Sequence, residues 1–200
     1  MENNTQLKEM IRSMVIDVLQ GQKQETASSQ SVKQVSRGQE PGVFDTVDEA
    51  IRAAKEAQLR FEDCTLATRE KVIADIRAAM RPRVQELAQK TVEETGMGRV
   101  ADKVLKLNLT LNKTPGVEDL VTECETGDNG MTLYELSAYG VIGAITPSTN
   151  PAETLICNSI GMLAAGNAIF FSVHPGAKNL SRELVSELNQ VIAKSIGIEN

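Results

Sequence analysis

Two short apolar runs bracket one helix-length segment, and this arrangement constrains the chain more than any other feature in it. The runs are VIGAI, Val141 to Ile145, and AIFF, Ala168 to Phe171. Between them Pro151 opens a pattern with Leu155, Ile156, Ile160 and Leu163 at helical spacing, which ends near Gly166-Asn167. A strand, a helix and a second strand in this order form a parallel βαβ unit, because a connection of that length crosses over the sheet instead of turning back on it. A last amphipathic helix follows, with Leu180, Leu184, Leu188, Val191 and Ile192 on one face. The expected fold class is α/β, with both strands buried.

Upstream the pattern is helical. VFDTVDEAIRAAKEAQLRF starts near Val43, with Asp45 or Thr46 as the cap and Val47, Ala50, Ile51, Ala54 and Phe61 at helical spacing. A second helix runs from about Leu66 with Val72, Ile73, Ile76 and Met80 inward. Pro82 ends or kinks it before a third through Val84, Leu87, Ala88 and Val92, closed by Gly96. From Val104 to Asn112, Leu105, Leu107, Leu109 and Leu111 alternate with polar residues, which by periodicity alone reads as a strand. Thr114-Pro115-Gly116 breaks the chain. After the turn Asp128-Asn129-Gly130, residues Met131 to Ser137 read as a further strand.

The N-terminal stretch is organised differently. In residues 5 to 19, Leu7, Met10, Ile11, Met14, Val15 and Val18 fall on one helical face. The next segment, Gly21 to Gly42, is rich in Gln, Ser and charge, and buries too little to offset its ordering entropy. It reads as a flexible linker. A short tethered amphipathic helix is explained either by docking on another protein or by folding back on its own domain. Its polar face mixes both charge signs, which disfavours a membrane surface.

Composition excludes several classes. With 21 basic and 27 acidic residues the net charge is -6, and no basic segment interleaved with aromatics suits nucleic acid. Three cysteines, Cys64, Cys124 and Cys157, form no C-x-x-C pair, so a reducing cytoplasm fits better than a disulfide framework, and no metal set is expected. No apolar run reaches the roughly 20 residues that cross a bilayer, and the N-terminus lacks a secretory signal.

Two places attract a functional reading. Gly96-Met97-Gly98-Arg99-Val100-Ala101 satisfies the dinucleotide pattern G-x-G-x-x-A, but a helix leads into it where the fingerprint needs a strand, so it reads as a decoy. The second is ITPSTNPAETL, Ile145 to Leu155, a strand ending in a proline-bracketed polar turn that opens a helix. Ligands of open α/β sheets bind beyond the carboxyl ends of the strands, so Thr146, Pro147, Ser148, Thr149 and Asn150 are candidates. An ordinary strand-to-helix loop with an N-cap explains the same residues. The tip of the second strand, Ser172 to Asn179, lies at the same edge. Its His174 is the only histidine and reads as a surface or capping residue.

Five segments together resemble the CoA-acylating aldehyde dehydrogenases of bacterial microcompartments, the propionaldehyde and acetaldehyde type. They are ETGMGR (Glu94 to Arg99), TPGVE (Thr114 to Glu118), TGDNG (Thr126 to Gly130), YGVIGAITPSTNPAET (Tyr139 to Thr154) and AAGNAIFFSVHPGAK (Ala164 to Lys178). The resemblance runs from residue 43 to 200. It implies the N-terminal part of the aldehyde dehydrogenase fold, in which the βαβ unit begins a Rossmann-like cofactor domain. It also implies a helix over Val104 to Asn112, against the alternation. The N-terminal helix, 1 to 19, is similar to the encapsulation peptide that docks such enzymes on microcompartment shell proteins, through Leu7, Met10, Ile11, Met14, Val15 and Val18. Residues 20 to 42 are then the linker.

The resemblance implies a chemistry in which a cysteine thiolate attacks a short-chain aldehyde, hydride passes to NAD, and coenzyme A takes the acyl thioester. The wider superfamily supplies an oxyanion donor from an asparagine in a Pro-x-Asn-x-Pro turn. Here Pro147-Ser148-Thr149-Asn150-Pro151 puts Thr149 in that slot and Asn150 one residue later, and Asn150 is the assignment with Thr149 as alternate. Thr146, Pro147, Ser148, Ser172, His174, Pro175 and Gly176 are the expected cofactor contacts. The superfamily has a lysine where Ser172 stands, and the smaller residue leaves room for a second adenine nucleotide. None of the three cysteines suits the nucleophile, which the resemblance places beyond Asn200, so this portion alone is expected to be inactive.

The expected domains are thus a targeting helix, a linker and a partial cofactor-binding domain, in a cytoplasmic protein of the microcompartment lumen that self-associates when complete. Residues near Met131 to Ser137 resemble the family's oligomerisation element. The alternatives are a non-catalytic cargo or assembly protein acting only through its first helix, and a reductase of the glutamate-semialdehyde type with the same fold.

Overall fold

The computed structural model describes residues 40–197. The N-terminal helix and all of the linker but residues 40–42 lie outside the described residues.

Four helices come first: α1 Val47–Phe61, α2 Leu66–Met80, α3 Val84–Thr95 and α4 Val100–Lys113. Thr46 caps α1 in a full capping box, its hydroxyl accepting from the Glu49 amide while the Glu49 carboxylate accepts from the Thr46 amide. Val47 is left exposed, and the inward stripe is Ala54, Gln58 and Phe61. Pro82 marks the end of α2, where a single 3₁₀ turn, Arg81–Arg83, joins it to α3. Gly96 stops α3 in the left-handed conformation, φ 67°, that a residue with a side chain seldom adopts.

The Val104 to Asn112 segment is helical, as the resemblance implied and the alternation did not. Leu107 and Leu111, one turn apart, are fully buried, whereas Leu105 and Leu109 are 69% and 60% exposed. Two of the four leucines carry the helix, and the other two produce the strand-like rhythm by standing on its outer side.

A hairpin follows, β1 Glu123–Gly127 and β2 Gly130–Tyr134, antiparallel with Cys124 opposite Leu133 and Thr126 opposite Met131. The expected strand from Met131 to Ser137 therefore ends early. Its partner strand went unread because ECETG carries two glutamates and a glycine, poor strand formers that pair here only across the Asp128-Asn129-Gly130 turn. Cys124 sits in this strand.

The centre is as expected: β3 Val141–Ile145, α5 Pro151–Ala164, β4 Ala168–Ser172 and α6 Lys178–Ser195. β3 and β4 pair in parallel, Val141 opposite Ala168 and Ile145 opposite Ser172. The strands are not buried, however. Only Ala144 and Ala168 are, and Ile145 is 87% exposed, because each strand has a single hydrogen-bonded neighbour among the described residues.

The core sits on α5, which buries Leu155, Ile156, Ile160 and Leu163 against α2, α4, α6 and β4. Each such side chain contributes about 1.5 to 3 kcal/mol of transfer free energy. Cys157 lies on the outer side of this helix and is exposed. Asn167 fixes the crossover. It is 2% exposed, its Oδ1 accepts from the amides of Tyr139 (2.7 Å) and Gly140 (3.1 Å), and its Nδ2 donates to the Met162 carbonyl (3.2 Å). One side chain thus ties the start of β3 to the end of α5.

Candidate functional site

The tips of the two parallel strands stand together. The Thr146 amide donates to the Ser172 carbonyl at 3.0 Å, and a Cβ placed on Gly176 would lie 3.9 Å from the Ser148 Cβ. The turns 146 to 150 and 172 to 176 therefore share one edge, as the sequence expectation required. Within it Pro147, Thr149, Ser172, His174, Pro175 and Gly176 are exposed, Ser148 and Asn150 are half-buried, and Thr146 is 3% exposed with no partner for its hydroxyl.

His174 is a local cap. Its Nδ1 accepts from the Gly176 amide at 3.0 Å at the start of a 3₁₀ turn, Pro175–Ala177. The first turn of α6 is capped from further away by Glu94, whose two carboxylate oxygens accept from the amides of Asn179 (2.8 Å) and Leu180 (2.7 Å). An anion would normally be drawn to free helix N-terminal amides, and here a carboxylate already occupies them. The edge exposes backbone at Pro147, Thr149 and residues 174 to 176 together with the Ser172 hydroxyl, while the Ser148 hydroxyl lies 3.9 Å from the Met97 sulfur.

Asn150 departs from ordinary loop chemistry. It stands at the N-cap of α5, where an asparagine side chain usually accepts from the second or third helical amide, yet it makes no such bond. Its Oδ1 accepts instead from Lys103 Nζ at 3.0 Å and Lys106 Nζ at 3.2 Å. Lys103, 3% exposed, also donates to the Thr149 carbonyl and lies 3.5 Å from Glu153 Oε1, and Glu153 is itself 7% exposed. Both Glu153 oxygens lack a hydrogen-bond partner. Sequence reasoning missed both lysines and Glu153. The available signal was register: Lys103, Leu107 and Leu111 are spaced by four, so a lysine lies on the buried stripe of α4.

The G-x-G-x-x-A match is scaffold, since Gly96 ends α3 and Arg99 precedes α4 with no strand leading in. Gly98, φ +83°, lets the chain pass the Lys103 stem, whose Cε would lie 3.3 Å from an added Cβ. Glu118 of the TPGVE segment accepts from the Gly116 amide at 2.9 Å, and that bond holds its carboxyl below the usual range. Among the described residues no group of His, Cys, Asp or Glu is arranged to hold a metal ion.

A parallel strand pair with two polar turns at its carboxyl tips is the edge at which open α/β enzymes take their ligands. The sequence narrows the class: the model described as "Aldehyde dehydrogenase family" matches residues 20–190, and the chain belongs to that family. It is 46% identical over 198 residues to the propanal dehydrogenase (CoA-propanoylating) of Salmonella typhimurium, covering 99% of this chain and 41% of that protein. Among solved structures, the Rhodopseudomonas palustris propionaldehyde dehydrogenase with bound CoA and an acylated cysteine is 48% identical, with a TM-score of 0.75 over 77% of this chain and 36% of that one. A propionaldehyde dehydrogenase from the Clostridium phytofermentans fucose utilisation bacterial microcompartment is also 48% identical, with a TM-score of 0.73 over 80% of this chain and 36% of that one. The chain thus spans about two-fifths of the length of the curated relative.

Proposed function

We propose that this chain is the N-terminal part of an enzyme that converts a short aldehyde, NAD and coenzyme A to acyl-CoA and NADH. The observation that carries the reading is Asn150, an N-cap asparagine turned away from its helix and held by two lysines at the strand tip. The likeness to CoA-acylating relatives supports it.

The chemistry needs a thiolate to add to the aldehyde carbonyl, forming a C–S bond and an oxyanion. Loss of hydride from that carbon, two electrons and a hydrogen, re-forms the carbonyl as a thioester, and the CoA thiol then displaces the enzyme thiol through a second oxyanion. NAD supplies the hydride acceptor when bound. This chain's own contribution is a donor for the oxyanion, Asn150 with Thr149 as alternate, and a wall for the adenosine end from Thr146, Pro147, Ser148, Ser172, His174, Pro175 and Gly176. The nucleophile comes from elsewhere: Cys64 bonds weakly to the Arg60 carbonyl, Cys124 lies in the hairpin, and Cys157 is two turns along α5 from the turn.

Residues 1 to 19 serve, in this reading, to dock the enzyme on a microcompartment shell protein, and the alignment with the Salmonella protein, over 198 residues, takes in that segment. Purified full-length protein given propanal and NAD should form NADH only when CoA is added, with propanoyl-CoA recovered in equal amount. NADH formation indifferent to CoA would refute acyl transfer. A fluorescent protein fused to residues 1 to 19 should collect in shells, and a diffuse cytoplasmic signal would refute docking.

A further inference from the structure

Lys103 has almost no exposure, donates two hydrogen bonds and faces a carboxylate at ion-pair distance. Its three hydrogens face the Thr149 carbonyl, Asn150 Oδ1 and the Glu153 carboxylate. Lys106, one turn on and exposed, takes the remaining lone pair of Asn150 Oδ1. An ammonium only donates, so the amide cannot turn over: its NH₂ would then face two cations and forfeit two charge-assisted bonds. The Nδ2 group is left with no acceptor among the described residues.

We infer that Lys103 and Lys106 are positioning residues that fix the Asn150 amide with Nδ2 free to donate to the tetrahedral oxyanion, with Glu153 the counter-charge that lets Lys103 be buried there. The inference rests on the acylating aldehyde dehydrogenase reading above. The same contacts also strengthen the donor, because two cations on an amide oxygen polarise its N–H bonds. A buried ion pair with both carboxylate oxygens short of hydrogen bonds contributes little to stability. It does hold a cation at a fixed point behind the amide. An oxyanion donor is effective to the extent that it needs no reorganisation as charge develops.

The test uses the full-length protein. Lys106→Met, at an exposed site, should lower kcat for propanal about tenfold or more with KM for the aldehyde within about twofold, and Lys106→Arg should recover most of the loss. Asn150→Asp keeps an acceptor for both lysines and so keeps the melting temperature, but it removes the donor and should lower kcat about 100- to 1,000-fold. A readout independent of activity is the crystal structure of Lys103→Met/Lys106→Met/Glu153→Leu, which removes both lysines that hold Asn150 Oδ1 together with the buried counter-charge. There the Asn150 side chain should swing to accept from the backbone amide of residue 153, as an ordinary N-cap does. Retention of kcat within twofold in either Lys106→Met or Asn150→Asp would overturn the inference, as would an Asn150 side chain unmoved in the triple variant. A wild-type protein without CoA-dependent turnover would instead sink the activity reading, and the crystal structure would still decide the role of the lysines.

Discussion

Glu94 Oε2 lies 2.7 Å from the amide nitrogen of Leu180, and Oε1 of the same carboxylate reaches the amide of Asn179. The last turn of α3 thus caps the first turn of α6. Glu94→Ala should cost about 1 to 2 kcal/mol of stability, and Glu94→Gln, which keeps one acceptor but loses the charge, should cost less. Urea denaturation of the three proteins gives the order directly.

Acid should loosen the α3–α6 contact before the rest of the core. Hydrogen bonds from Arg83 and then Lys90 lower the Glu86 carboxyl from 4.5 to about 2, and bonds from Lys90 and Arg83 lower Glu183. Both groups bind a proton more weakly folded than unfolded. Their stabilisation is therefore present above pH 4.5 and is lost as the pH falls towards 2. Glu86 is 49% exposed on its side chain, so salt should shrink the effect. The urea midpoint measured from pH 6 to pH 3 should fall less steeply in Glu86→Gln, and less steeply again in high salt.

Asn167→Ala should destabilise the fold by about 3 kcal/mol, since it leaves the amides of Tyr139 and Gly140 without their buried acceptor. Asn167→Asp keeps that acceptor but sets a carboxylate oxygen against the Met162 carbonyl at a buried site, so it should also destabilise, and more at neutral pH than in acid. Thermal melts of both variants at neutral and acid pH check this.

Gly166→Ala should be destabilising chiefly because of its backbone conformation, with a smaller cost from displacing the mobile end of Arg69. The position has φ +80°, and an added Cβ would lie 2.7 Å from the Arg69 guanidinium carbon. Arg69→Ala removes the second cause but not the first, so the double variant should recover only part of the loss. A double-mutant cycle measures the share.

The parts of the fold governed by spacing were legible in the sequence. The βαβ unit follows from two apolar runs either side of a helical pattern, and the Pro82 break and the Gly96 stop each follow from one residue type at one position. The α4 leucines were misleading because half of them are exposed, and the β1 strand was invisible because its residues are poor strand formers. At the site, the turn 146 to 150 was legible from the proline bracket, but the lysines behind Asn150 were not. A lysine in a helix ordinarily reads as a solvated residue, and only its register with Leu107 and Leu111 marks Lys103 as buried.

The hairpin gives a test of self-association. Cys124, Thr126, Met131 and Leu133 share one of its faces, with Met131 65% and Leu133 59% exposed, while Glu123, Glu125, Thr132 and Tyr134 share the other. Leu133→Lys should shift the full-length protein towards smaller species in size-exclusion chromatography with light scattering, and an unchanged mass would count against this face as a subunit contact.

A two-stranded hairpin in water is marginal by itself, and this one leaves its apolar face without a cover among the described residues. If a second copy of the chain supplies that cover, order in the segment becomes a matter of mass action. The packed helices of the described residues would then hold their shape at any dilution, while β1 and β2 would tighten as the protein accumulates.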